Sequence, residues 1–391
     1  MLPGWDDKIR NFLIIRKILS VGMKKILLMT GIAALLLAGC KAPEMPISPR
    51  VVNALAGLPD LVDTCQIPVL QYYYFSPQGD LEKVIRHRNA TYDIPQRIGK
   101  QSIFQAASLS KPIFAYIVMR MVDRGEIDLD KPIADYTDID RFEDKEMARR
   151  LTPRMVLSHQ TGLPNWATGP SSDEWPTSNI TFKYPADSCF AYSGEGYAFL
   201  QRAVEAIWDE SLDEIAQEEV FGPFDMPTTS YVWLPDYDSL ALTGFNREGE
   251  NRGQGRHPRA NSAYTLRTNA REYANFLRHA LLNGEGLSDD AYKEMFTPQV
   301  HAQRYADAPR ACDSSVFWCL GFGAVNEPEA TGDYYWHWGD NGNFKAFWIL
   351  HPATQEGFVY FTNRATGHDF LDPFLKNLTG TDLPLNDWIR N

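Results

Sequence analysis

The sequence has no Cys-x-x-Cys pair, no His followed by Glu and no Gly-x-Ser-x-Gly. The first two absences remove zinc-knuckle and HExxH metal sites, and the third removes the strained serine elbow of α/β-hydrolases. The Gly-x-Gly triplets beginning at Gly194, Gly253 and Gly321 all lack the third glycine of a dinucleotide-binding loop. No metal or cofactor is therefore expected. Long basic runs are missing too, and 38 Lys+Arg against 50 Asp+Glu leave a formal charge of -12, so nucleic acid is not an expected partner. No internal repeat is visible, and no apolar run reaches the roughly 20 residues that span a bilayer.

What is present is ordinary globular composition. Of 391 residues, 44% are apolar and 13% aromatic, enough to fill a core in one or two domains without staples. The first forty residues stand apart. Met23-Lys24-Lys25 is followed by an apolar run over 26–37 and then by Leu37-Ala38-Gly39-Cys40, a basic n-region, a short h-region and small residues before a cleavage point. The cleavage site resembles a bacterial lipobox, which makes Cys40 the acylated first residue of the mature chain. Residues 1–22 have no place in such a signal, so Met23 is the expected start, with residues 41–50 a Pro-rich tether. Lys41 after the Cys points to the periplasmic face of the outer membrane, in the bacterial cell envelope. In that oxidising compartment Cys65, Cys189, Cys312 and Cys319 could pair in three ways or remain free.

Along the mature chain, a β-branched and aromatic run over 69–75, a turn at Pro77-Gln78-Gly79-Asp80 and an alternating run over 81–88 predict a hairpin. Apolar residues Phe114, Ile117, Val118 and Met121 then follow helical spacing up to a stop at Gly125. Helical patches continue to about Pro298, including 196–208 and 269–282. Aromatic and β-branched runs return over 317–322, 334–338, 344–350 and 357–362. Strands at both ends with helices between predict an α+β fold, an antiparallel sheet made from both termini and flanked by helices. The sheet domain is expected over 51–104 and 305–391, with a mostly helical domain inserted over 105–304.

Ser108-Leu109-Ser110-Lys111 opens the predicted helix and puts Ser108 and Lys111 on one face, three residues apart. A helix N-terminus disfavours a charged Lys, and a neutral amine can take a proton from a serine hydroxyl. Alone, Ser-x-x-Lys reads equally as a helix cap followed by a solvated Lys. Two further elements follow at separations of about 80 and 145 residues: Tyr192-Ser193-Gly194-Glu195-Gly196 and His337-Trp338-Gly339-Asp340. In this order the three resemble the serine beta-lactamase and penicillin-binding superfamily, with its Ser-x-x-Lys, Tyr-x-Asn and Lys-Thr-Gly or His-x-Gly motifs. Segments 125–130, 151–164 and 220–223 look like its class C beta-lactamase and esterase branch, and the likeness covers about 66–367.

The resemblance implies a beta-lactamase/transpeptidase-like fold. It makes Ser108 the nucleophile, Lys111 the general base and Tyr192 the proton shuttle, with an oxyanion between the backbone N–H groups of Ser108 and Asp340. His337, Gly339 and Gly194 would line the pocket. Two positions depart from the pattern: Gly194 stands where many members carry Asn, and His337 where beta-lactamases carry Lys. Both bear on the amide and carboxylate of a beta-lactam or peptide, so the expected substrate is a carboxylic ester. D-amino-acid peptide or beta-lactam hydrolysis, and a binding protein without turnover, are the alternatives. The lipid anchor is testable by itself: Cys40→Ala should leave the precursor uncleaved or release the protein from membranes, read by fractionation and intact mass.

Overall fold

The computed structural model describes residues 46–89, 92–304, 310–326 and 332–390. The signal segment and Cys40 lie outside the described residues. No described helix is long and apolar enough to cross a membrane. Ile47–Asn391 forms one compact unit. Its first helix, Pro49–Thr64, begins inside the segment read as a tether, with Pro at the start of the first turn, where a missing N–H costs nothing.

The strands are β1 (Val69–Ser76), β2 (Gly79–Arg86), β3 (Phe104–Gln105), β4 (Arg267–Thr268), β5 (Val300–His301), β6 (Val316–Trp318), β7 (Gly323–Val325), β8 (Tyr334–Asp340), β9 (Lys345–His351) and β10 (Glu356–Thr362). Eight of them make an antiparallel sheet in the order β2-β1-β10-β9-β8-β7-β6-β5, while β3 and β4 pair separately. β1 pairs with β10, second and third from one edge, Leu70 opposite Thr362 and Phe75 opposite Gly357, so both ends of the chain build the sheet as expected. Two details differ from the sequence reading. The hairpin turn is only Pro77-Gln78, because Ser76 already pairs with Gly79, which pulls the second strand two residues earlier. The run 317–322 is the end of β6 followed by the turn into β7, since the Cys319 N–H donates to the Phe322 carbonyl and folds the chain back.

Both faces of the sheet are covered, which the strand sequences record as unbroken apolar runs. In β9, Ala346, Trp348 and Leu350 point into one core and Phe347 and Ile349 into the other. The second core is closed by Pro49–Thr64 and Leu371–Thr379, through Leu55, Leu58, Val62, Phe374 and Leu375. The first is shared with the helical layer, whose centre is the helix Ser110–Asp123. That helix is buried nearly all round, from Ser110 to Met119 and again at Met121, as its composition requires. Pro112 sits in its first turn and is tolerated there. Cys65, Cys189, Cys312 and Cys319 are all free thiols. Trp348, fully buried between β9 and the helical layer, should be a large contributor to stability. Trp348→Ala should cost about 3 to 5 kcal/mol, read as a lowered urea midpoint.

Candidate active site

β3 leads into a single tight turn, Ala107–Leu109, that runs directly into the helix Ser110–Asp123, so Ser108 stands just before the helix rather than inside it. Ala107 has φ +50°, a left-handed conformation costly for a residue with a Cβ, and strain of this kind concentrates at functional sites. Ser110 is fully buried and spent on structure: its Oγ donates to the Ala107 carbonyl at 2.6 Å and accepts from the Leu266 N–H at 3.0 Å. Ser108, in contrast, keeps its hydroxyl at the cleft, and Lys111 Nζ approaches Ser108 Oγ at 3.1 Å. Lys111 also donates to the Ala263 carbonyl at 2.9 Å. Its side chain is almost fully buried, and that desolvation pushes its pKa well below the ordinary lysine value.

Tyr192 brings its ring within 4.7 Å of Lys111 Nζ. Burial pushes its phenol above the ordinary tyrosine range, and the Ser108 hydroxyl partly offsets the rise. The ring is wedged between Trp338, at 4.9 Å between centroids, and His159, at 4.2 Å. Ser193 is structural: it caps the helix Gly194–Trp208 by accepting from the Gly196 N–H at 3.0 Å and donates to the Pro164 carbonyl at 2.8 Å. His159 anchors the same corner, because its Nδ1 accepts the Ser193 N–H at 3.1 Å, which leaves the proton of the neutral ring on Nε2. Burial lowers the His159 pKa well below the histidine norm.

His337 and Gly339 face the helical layer from β8, opposite Trp348 and Ala346 of β9. His337 is fully buried beneath the site, with ring centroid 6.4 Å from that of Tyr192, rather than presented at the cleft wall. Its Nδ1–H donates to the Trp338 carbonyl at 2.7 Å, and burial lowers its pKa well below the norm, so the ring is neutral near pH 7. Gly339 is where β8 touches the nucleophile turn. A Cβ there would lie 2.4 Å from the Ala106 carbonyl oxygen, so only glycine admits the contact that brings the Asp340 backbone beside Ser108. His368 steadies this strand end: Tyr360 Oη lies 2.7 Å from its Nδ1, and its Nε2–H donates to the Gly339 carbonyl at 3.1 Å. The Asp340 carboxyl meets the Lys345 ammonium, which, against an opposing desolvation, holds it below the usual carboxylate range.

Ser108 and Lys111 open onto a cleft of about 310 Å³ whose walls include Asn165, Trp166, Tyr264, His257, Gln105 and Asn341. Burial holds His257 down to about 4, so it too is uncharged near neutral pH. Gly194 lies behind Trp166: a Cβ at this position would come within 2.3 Å of the indole. The structure thus gathers Ser108, Lys111, Tyr192, His337, Gly339, Asp340 and Gly194 in one place. Sequence reasoning passed over His159, His368 and Trp166. His159 lies in a segment already noted for its likeness, which is the one signal that could have found it; nothing local marks the other two. Among the described residues no group of three or more His, Cys, Asp or Glu side chains is placed to hold a metal ion. A buried neutral amine beside a hydroxyl has a pH signature. Labelling of Ser108 by a fluorophosphonate should accelerate as pH rises through the depressed Lys111 pKa and level off below the ordinary lysine value. Lys111→Ala should slow it at least about a hundredfold and erase that limb.

The Beta-lactamase family model matches residues 82–379. "Penicillin-binding protein 4" of Amycolatopsis lactamdurans is 32% identical over 133 residues, 32% of this chain, and the match spans 35% of the length of that protein. Among solved structures, a D-stereospecific amidohydrolase from Streptomyces sp. superposes with a TM-score of 0.66 at 14% identity, covering 83% of this chain and 99% of that one. A class C beta lactamase from Rhodobacter sphaeroides does so with a TM-score of 0.65 at 16% identity, covering 82% and 99%. These two likenesses bear on the fold, an α+β beta-lactamase/transpeptidase-like one. With the family match extending over most of the molecule, from β2 to the end of the helix Leu371–Thr379, the chain belongs to the Beta-lactamase family.

Proposed function

We propose that this protein is a serine hydrolase that works through an acyl-enzyme on Ser108 and acts on carboxylic esters. The observation that carries the reading is the 3.1 Å contact between a buried Lys111 amine and the Ser108 hydroxyl. Neutral Lys111 Nζ takes the Ser108 proton as Oγ bonds to the substrate carbonyl carbon. The resulting oxyanion is held by the backbone N–H groups of Ser108 and Asp340. As the carbon–oxygen bond to the leaving alkoxide breaks, Tyr192 supplies its proton and is restored from Lys111. A water then attacks the acyl carbonyl, gives its proton to the same pair, and releases the acid and free Ser108.

The ester preference rests on what the cleft offers a substrate. A beta-lactam or D-peptide carries an amide and a carboxylate that need partners, and each polar group left unpaired on burial costs about 1 to 3 kcal/mol. Gly194 has no side chain to give, and His337 is neutral and turned to the Trp338 carbonyl. An aryl or alkyl ester needs neither contact. We also place the protein on the cell envelope through lipid on Cys40, on the sequence alone. A fluorophosphonate should add one mass to the wild type and none to Ser108→Ala, and kcat/KM should rank a short-chain aryl ester above a cephalosporin and a D-Ala-D-Ala peptide. Preference for either of the last two would replace the ester reading while keeping Ser108. Absence of both labelling and turnover would point to a binding protein.

A further inference from the structure

The position two residues after Tyr192 carries no side chain, and the space beside it is filled from another loop. A Cβ on Gly194 would meet three indole atoms of Trp166 between 2.3 and 2.8 Å. Gly194 and Trp166 are therefore a matched pair: the glycine is what lets the indole occupy this side of the cleft. The loop that carries Trp166 is locked in place. The carbonyl of Asn165 accepts from the Gly194 and Glu195 N–H groups, both at 3.0 Å. The Glu195 carboxylate, fully buried, accepts the Ala167 N–H at 2.9 Å and the Trp175 Nε1–H at 2.7 Å and pairs with Arg141 at 3.2 Å. Trp175 and Tyr264 then abut the Trp166 ring edge-to-face, at 6.0 and 5.4 Å between centroids.

The wall lines the cleft onto which Ser108 opens. Tyr192, which would protonate the leaving group, reaches Ser108 from the side of Trp318 and Trp338, whereas Trp166 and Tyr264 line the open cleft in front of Ser108. We propose that Trp166, seated over Gly194 and backed by Tyr264, is the specificity-determining wall of the acyl pocket and selects flat aromatic acyl groups. Such groups gain both buried area and edge-to-face contact against a fixed indole, and a preformed wall spends no ordering entropy on binding. Asn165 is the polar contact at its edge: Oδ1 is committed to the Gly194 N–H at 3.0 Å, so the side chain presents its Nδ2–H donors to the substrate. This inference rests on the ester reading.

The test uses two esters with one leaving group, p-nitrophenyl acetate and p-nitrophenyl phenylacetate, on a single preparation whose Ser108 is titrated with a fluorophosphonate. The wild type should favour the phenylacetate in kcat/KM by at least about tenfold, the scale of a filled apolar subsite. Trp166→Ala should reduce that ratio at least about tenfold. Gly194→Asn, which drives a side chain into the indole, should lower both the ratio and the melting temperature. In the Trp166→Ala background the same substitution should no longer lower the melting temperature, because the space is then free. A wild-type ratio near one, or a ratio unmoved by Trp166→Ala while Ser108 still labels, overturns the inference and leaves ester hydrolysis standing. No nitrophenolate from either ester, with Ser108 labelled, overturns the ester reading and this inference with it.

Discussion

The amine of Lys111 is held out of water beside the one serine hydroxyl in its neighbourhood that structure has not consumed, and the architecture around it serves that placement. A lysine at the end of a flexible stem would remain protonated in solvent. Here the helix that carries it is enclosed on every side, the Ala263 carbonyl fixes the nitrogen, and the Tyr192 and Tyr197 rings lie 4.7 and 5.5 Å away as its lid. Enclosure disfavours the proton on the amine, and aromatic walls hold the cavity without introducing a competing charge. The same choice recurs around it: His159 and His337 are both buried and neutral, so no second cation pushes against the reaction from below.

The sheet between its two cores explains how a reactive centre is assembled from segments so distant in sequence. β8 delivers its backbone to the Ser108 turn only because Gly339 allows contact with Ala106, and that approach is braced from behind by His368. The base and the oxyanion strand sit on elements whose other faces are packed into a core, and the nucleophile and the phenol lie on the short segments that lead into packed helices. Lys111 and Asp340 inherit their positions from packed elements, while Ser108 on its tight turn and Tyr192 just before the helix Gly194–Trp208 are held by the packing around those short segments.

Much of this was legible beforehand where it depends on local pattern. Helical spacing from Phe114 to Met121 located the helix behind Ser108, and aromatic runs near both termini foretold a sheet built from both. The order Ser108, Tyr192, His337 was readable through likeness, since no spacing rule connects residues that far apart. What escaped was whatever depends on a partner from elsewhere in the chain. Gly194 read as a lost asparagine; that Trp166 occupies the vacated volume is a tertiary fact. His337 read as a residue lining the pocket, because its burial under Tyr192 is invisible along the strand. The end of β6 at Trp318 needed the turn at Cys319, which an apolar run conceals.

The pairing of β1 with β10 bears on how the molecule comes into being. The Val69 N–H is satisfied by the Asn363 side chain across 294 residues, and β1 has its inner neighbour in the last strand of the chain. Closing so long a loop must precede any return from the contact, which makes such topologies slow to form. Until Glu356–Thr362 has been synthesised, the hairpin β1–β2 has an open edge, and the two cores entered by Tyr73 on one face and by Tyr72 and Tyr74 on the other are incomplete. Assembly is thus gated at the carboxyl end, and a prematurely terminated product would expose an adhesive aromatic strand while lacking the surface against which Ser108 is set.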